Sequence, residues 1–207
     1  MSVMVKSSCD AEDSAIWFGC LACSFGKNVL NLQTSVQKHK MMASTSIDFK
    51  SRLDKEITNV VKHSKIDRRF LSQKKSITYS DFLTNKMLMI LVIREGVPYT
   101  LFQLIQQLTP FSEDNWADFL DISTKSLHRY KLTLKKFKPI QSEKIIEMAE
   151  VTKVGIDVFG DMEKFKLWLE TPNFSLGNLK PMELLKDSYG KELVISELTR
   201  INYGILL

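Results

Sequence analysis

Between Ile122 and Lys138 the chain contains no carboxylate, whereas Lys125, His128, Arg129, Lys131, Lys135, Lys136 and Lys138 follow one another closely. If a helix starts at Thr124, Leu127 and Tyr130 lie on its inner side, and Thr124, Lys125, Ser126, His128, Arg129 and Lys131 face outward. Such a face suits the major groove of DNA, where residues near a helix N-terminus reach base edges and later lysines meet phosphates. Arg129 is the first choice for a guanine, because its fork can bond O6 and N7 together; Thr124, Lys125 and His128 are further candidates. Lys135 and Lys136 are expected on phosphates. The same pattern also describes a solvated basic helix that touches no nucleic acid, and the residues alone leave that reading open.

No other chemistry is spelled out as consistently. Cys9, Cys20 and Cys23 all fall near the start. Cys20-x-x-Cys23 has the spacing of half a zinc site or a redox pair, yet no second pair follows and His39 is badly placed to complete one. His39 and His128 have no cysteine or carboxylate at a ligand-like helical offset, His63 lies in the polar, basic part of the chain, and the glycines form no phosphate-binding loop. Glu143, Glu147 and Glu150 share a helix with Lys144 and Lys153, which reads as a solvated face rather than a catalytic pair. The expectation is no catalytic residue, no metal site and no cofactor.

The basic face needs elements to hold it. Ser112 can cap a short helix over Glu113 to Leu120, Asp121-Ile122-Ser123 makes a tight turn, and Ser123 caps the second helix. Trp116, Ala117, Leu120, Ile122, Leu127 and Tyr130 then fall where a helix-turn-helix needs a packed inner side, with small Ala117 at the close approach of the helices. Asp121 stands where many such turns carry glycine, and aspartate tolerates left-handed backbone better than most residues.

The 207 residues, 44% hydrophobic, suffice for a real core in one or two domains, and the net charge of +5 permits nucleic-acid binding without requiring it. The apolar run from Ala15 to Phe25 is too short for a bilayer and follows Asp10, Glu12 and Asp13, where a secretory signal would be positive. No signal peptide, no membrane span and a reducing cytoplasm are therefore expected. Met41-Met42 opens a more ordinary-looking start, which would make residues 1–40 an upstream extension. From Ser44 to Lys75 the chain is polar and basic, and Leu53, Ile57, Val60 and Val61 give a helix that reads as a solvated lead-in or, alternatively, as a DNA-backbone or partner contact.

Further on, Ser80 or Asp81 caps a helix to about Glu95, although the run Met87 to Ile93 would also suit a buried strand. Gly96 and Pro98 mark a turn, and Thr100 caps a helix with Leu101, Leu104, Ile105 and Leu108 inward, closed by Pro110. Ser142 caps a helix to Val158 with Ile145, Met148, Ala149, Thr152 and Ile156 inward. That helix is the expected spine between two halves, since no Gly/Ser/Pro-rich linker separates them. Near the end, Phe165, Trp168 and Leu169 form an apolar stripe on a helix from Asp161 to Glu170 that Pro172 ends. Asn173, Ser175 and Gly177 make a turn in which Phe174 and Leu176 are expected to be buried. Pro181 opens another helix with Leu184 and Leu185 inward and Gly190 as its stop, and a last helix, about Lys191 to Tyr203, carries Val194, Leu198 and Ile201 before Gly204.

The spacings Phe159-Gly160-Asp161, Trp168-Leu169-x-x-Pro172-Asn173-x-x-Leu176-Gly177, Pro181-x-x-Leu184-Leu185, Gly190, Val194 and Leu198-x-Arg200-Ile201-x-Tyr203-Gly204 resemble the toxin-binding domain of Xre/MbcA/ParS-type antitoxins. More loosely, Arg94-x-Gly96-Val97-Pro98 and Ile122-Ser123-x-x-Ser126-Leu127-x-Arg129 are similar to the turn and the start of the recognition helix in the same family, with Tyr130 where a second arginine is common. The resemblance covers roughly residues 80–207.

It implies an all-α protein with an Xre-like helix-turn-helix over 76–140 and, with no flexible linker, a small helical toxin-binding domain over 141–207; it says nothing about residues 1–75, which the residues themselves present as an N-terminal extension, partly disordered or helical. It further implies the antitoxin of a type II pair that silences a RES-domain toxin, an NAD consumer acting by phosphorolysis, hydrolysis or ADP-ribosyl transfer. Neutralisation would be steric, with Arg200, Asn202, Tyr203, Ile205, Leu206 and Leu207 on the toxin. Arg200 would enter an anionic-substrate pocket or pair with a toxin carboxylate. Operator DNA and a second copy of the chain are the other implied partners, with autorepression as the outcome. The alternative is a stand-alone DNA-binding regulator whose C-terminal domain only dimerises.

Overall fold

The chain divides into two units, Met1–Phe49 and Lys50–Leu207. The computed structural model describes residues 48–62 and 76–205. The expectations for Cys9, Cys20, Cys23, the apolar run 15–25, residues 63–75, Leu206 and Leu207 lie outside the described residues. Those that are described form an all-α fold with two isolated antiparallel bridges, Pro98 to Lys136 and Asn173 to Leu179. Helical residues 48–62 (α1) are followed by α2 (Tyr79–Thr84), α3 (Lys86–Glu95), α4 (Tyr99–Gln107), α5 (Glu113–Phe119), α6 (Thr124–Thr133), α7 (Pro139–Phe159), α8 (Met162–Glu170), a 3-10 turn (Phe174–Leu176), α9 (Pro181–Leu184) and α10 (Ser188–Asn202).

Helix α1 is no solvated lead-in. Leu53, Ile57 and Val61, one turn apart, are all buried in the common core. Its polar groups are also engaged: Tyr79 N–H donates to Asp54 Oδ1 at 2.7 Å and Ile77 N–H to Thr58 Oγ1 at 3.1 Å. The single helix expected from Ser80 to Glu95 is two helices. Thr78 caps α2 through a capping box with Asp81, and Asn85 then leaves the helical region and caps α3 by accepting from Leu88 N–H at 3.2 Å. The run Met87 to Ile93 is helical. Pro98, not Thr100, is the N-cap of α4, and its Phe102, which the sequence reading passed over, is fully buried.

Phe102 lies at the centre of an aromatic cluster. Its ring is 5.0 Å from Trp116 and 5.0 Å from Phe137, both edge-on, and Tyr130 stacks on Phe137 at 4.5 Å. Helix α7, of 21 residues, packs against α2, α3, α4, α8 and α10 and is the spine of the unit. It starts at Pro139, whose missing N–H costs nothing at a first helical position. Ser142 is therefore not the cap but a buried first-turn residue whose Oγ accepts from Val97 N–H at 2.8 Å. Ile145, Met148, Ala149 and Thr152 point inward as expected. Glu147 and Glu150, however, are not a solvated face: they are mostly buried between Lys144, Lys191 and Lys86.

In the last third, Phe165 is fully buried against Gly155, where an added Cβ would come within 2.2 Å of the ring. Gly190 does not stop a helix. It lies in the first turn of α10, and a Cβ there would sit 2.0 Å from the Leu184 carbonyl oxygen, so glycine is what lets α9 meet α10.

Two substitutions test this packing by chemical denaturation. Gly190→Ala, which at an ordinary helix position would stabilise by up to about 1 kcal/mol, is expected to destabilise by about 1–3 kcal/mol through overpacking. Ser142→Ala leaves the buried Val97 N–H without its acceptor and is expected to cost about 1–3 kcal/mol.

Candidate nucleic-acid and partner interfaces

The helix-turn-helix is built from local hydrogen bonds. Ser112 Oγ accepts from Asn115 N–H at 3.1 Å while Asn115 Oδ1 accepts from Ser112 N–H at 3.0 Å, a capping box that starts α5. Its end is a Schellman turn: Ile122 N–H reaches Ala117 O at 3.0 Å and Asp121 N–H reaches Asp118 O at 3.2 Å. Asp121 occupies the left-handed position at φ 50°, the conformation that residue was expected to tolerate. Ser123 then caps α6 by accepting from Ser126 N–H at 3.2 Å. Trp116, Ala117, Leu120 and Leu127 are buried, with Ile122 and Tyr130 half-buried beside them. The buried Trp116 Nε1 has no hydrogen-bond partner; Phe102, Phe111 and Phe119 surround the indole edge-on.

This scaffold presents Thr124, Lys125, His128, Arg129, Lys131 and Lys135 to solvent on one module. Ser126 is half-buried, and its Oγ lies 3.0 Å from Ser123 Oγ, so its hydroxyl serves the cap. The helix ends at Thr133, and Leu134 turns the chain back with φ 48°. Lys135 and Lys136 thus sit on an exit loop rather than along the helix. Lys136 Nζ is 3.1 Å from Glu95 Oε1, which neutralises part of its charge. Tyr130, which stands where the resemblance would put a second arginine, faces inward onto Phe137.

The second surface belongs to the C-terminal helices. Asp161 caps α8, and Asn173 Oδ1 accepts from Ser175 N–H at 2.9 Å while its N–H donates to Leu179 O at 3.1 Å. That rigid turn buries Leu176 but leaves Phe174 79% exposed, contrary to the expectation for Phe174. Helix α10 is two-faced. Val194 and Leu198 are fully buried, whereas Tyr189, Leu193 and Tyr203 are 84%, 54% and 75% exposed and line up with Arg200 on the opposite side. The spacing 189, 193, 200, 203 would have revealed this stripe, and only the inner one was read. Arg200 Nη1 lies 3.3 Å from the mostly buried Glu197 Oε2, which orients the guanidinium at the edge of that side. Gly204, at φ 70°, closes α10 through Ile205 N–H to Arg200 O at 2.9 Å, so Ile205 emerges exposed. Asn202 is exposed too.

Two family models match in chain order over these same modules. Residues 89–150 match the antitoxin Xre-like helix-turn-helix domain, and residues 155–204 match the antitoxin Xre/MbcA/ParS C-terminal toxin-binding domain. The chain belongs to the Xre/MbcA/ParS antitoxin family.

Two relatives carry the name Antitoxin Xre. The Photorhabdus laumondii protein is 28% identical over 116 residues, which is 56% of this chain and 78% of that protein. The Yersinia enterocolitica protein is 32% identical over 85 residues, covering 41% of this chain and 57% of its own length. A chain of the M. tuberculosis MbcT–MbcA toxin–antitoxin complex resembles half of this antitoxin, and 90% of itself, at 21% identity and a TM-score of 0.42, a likeness too distant to add weight. This Xre/MbcA-type chain is thus a toxin–antitoxin antitoxin with a helix-turn-helix followed by a toxin-binding domain. Among the described residues no helix is long and apolar enough to cross a membrane, and no three potential metal ligands cluster.

Burial supplies a test of the module. Leu127→Ala removes the one fully buried side chain that α6 contributes and is expected to cost about 2–5 kcal/mol. Thermal unfolding followed by circular dichroism checks this.

Proposed function

We propose that this antitoxin sterically neutralises a RES-type toxin that consumes NAD, and that, as a cytoplasmic homodimer, it represses its own operon through α6. The observation that carries the toxin half is the outer face of α10. A helix within a small domain has no internal use for Tyr189, Leu193 and Tyr203 on its solvent side, while large aromatic and aliphatic groups are what a desolvated interface needs. Ile205 extends that face beyond the Gly204 turn, with Asn202 beside it and Leu206 and Leu207 following in sequence. Steric neutralisation asks nothing more of the antitoxin than a surface that covers the toxin's substrate entrance. Arg200, held by Glu197, adds one directed charge for a toxin carboxylate or for the site that takes the anionic substrate.

The DNA half rests on the cationic face of α6, with Thr124, Lys125 and His128 nearest the end that reaches base edges. A two-fold dimer would place two copies of α6 on an inverted repeat. Base reading by Lys125 predicts that Lys125→Ala costs about 1–3 kcal/mol at one base pair of the operator.

Co-expression with the adjacent open reading frame, pull-down and an assay of cellular NAD test the whole reading. The neighbour alone is expected to deplete NAD and stop growth, and to copurify inertly with this chain. Leu193→Ala and Tyr203→Ala are exposed on the free protein, so each is expected to leave folding unchanged and to weaken the complex by about 1–3 kcal/mol. A neighbour that neither copurifies nor touches NAD would leave a stand-alone regulator whose C-terminal domain dimerises.

A further inference from the structure

The recess between α6 and its exit loop has an unusual make-up. Arg129, Tyr130, Thr133 and Lys135 line a cavity of about 250 Å³ with two cations and no carboxylate. Neither Arg129 nor Lys135 has an acidic partner among the described residues, whereas neighbouring Lys136 is already paired with Glu95. The backbone that creates the recess is strained. Leu134 adopts φ 48°, a conformation that costs a non-glycine residue about 1–2 kcal/mol. It is held there from both ends: Tyr130 stacks on Phe137, Phe137 N–H donates to Val97 O at 2.8 Å, and Lys136 bridges to Pro98. The consequence of this turn is that Lys135 comes back beside Arg129, rather than continuing away from it along the helix axis. Two like charges brought together without a counter-ion favour an anion between them. Thr133 Oγ1 donates to the Arg129 carbonyl at 2.8 Å, which fixes the wall on that side.

We propose that this recess seats a phosphate group, with the Arg129 guanidinium and the Lys135 ammonium as its ligands. Resting on the DNA-binding reading of α6, the assignment changes the part played by Arg129: it anchors the backbone and sets the helix in its groove, instead of reading guanine. Base reading then falls to the N-terminal residues of α6. The strained Leu134 turn is the device that builds the seat, because an α6 continuing in helical geometry would carry Lys135 about one and two-thirds turns beyond Arg129.

The test measures binding of the full chain to a duplex from upstream of its own gene and to a random duplex, each over a range of salt concentrations, with inorganic phosphate titrated separately and followed by NMR. Arg129→Ala and Lys135→Ala are each expected to weaken both duplexes equally and to lower the salt slope by about 1, and the double variant by about 2. Inorganic phosphate is expected to shift the side-chain signals of Arg129 and Lys135 in the parent chain. A loss for Arg129→Ala confined to the upstream duplex, with the salt slope kept, overturns the seat and leaves DNA binding standing. If the parent chain binds neither duplex but phosphate still shifts both signals, the seat stands with free phosphate as its source and the DNA reading falls. No binding and no shift overturns both.

Discussion

The backbone of Val97 is fastened from both sides, and the arrangement of the helices depends on that clamp. Its N–H donates to Ser142 Oγ and its carbonyl accepts from Phe137 N–H, both at 2.8 Å, with the residue fully buried. The turn between α3 and α4 meets there, across some forty residues of sequence, the exit loop of α6 and the first turn of α7 that directly follows it. Buried backbone groups must be paired, so these stretches fit in one register. Gly96 is part of the same requirement. It holds φ 91°, and a Cβ on it would lie 2.4 Å from the Phe137 carbonyl oxygen. The aromatic cluster around Phe102 and Trp116 fills the space that the clamp encloses, so the position of the basic helix follows from the core rather than from its own polar face.

From the clamp, α7 carries the order into the toxin-binding domain. Lys144, Glu147, Lys191, Glu150 and Lys86 form a chain of alternating charge linking α3, α7 and α10, with Lys191 Nζ 3.1 Å from Glu150 Oε2 and 3.6 Å from Glu147 Oε1. Partly buried pairs contribute little net stability, because desolvation offsets their attraction. Their geometry is more consequential, since the two pairs made by Lys191 favour the rotation of α10 that turns this residue toward α7. That rotation directs Val194 and Leu198 into the core and Tyr189, Leu193 and Tyr203 out of it.

The two outer surfaces obey different physics. Charge on α6 acts over a Debye length and weakens with salt, whereas the apolar side of α10 acts through the area it buries and has little salt dependence. Helices α4 and α10 both pack on α7, so the two surfaces belong to one compact unit, Lys50–Leu207. Under the proposed function, a partner on α10 and a duplex on α6 would engage that same unit.

The sequence by itself determined what depends on neighbours along the chain. Ser112 and Ser123 cap the helices assigned to them, Asp121 takes the left-handed turn, and Trp116, Leu127, Phe165, Leu169, Val194 and Leu198 are core. Caps, turns and one-sided apolar spacing are written within a few residues, so they can be read without knowing what lies opposite. The family was legible for the same reason, as a series of fixed local spacings. Only the tertiary structure decided the rest. Ser142 looks like a cap until Val97 appears beside it, Gly190 looks like a stop until Leu184 does, and Phe174 looks buried until its turn proves too tight to fold it in. Lys135 reads as one more lysine along a basic run, and the reversal at Leu134 that sets it beside Arg129 is enforced by Phe137, whose own place is fixed by partners far away in the chain. In each case the deciding atom comes from another segment, and no local pattern encodes which segment that will be.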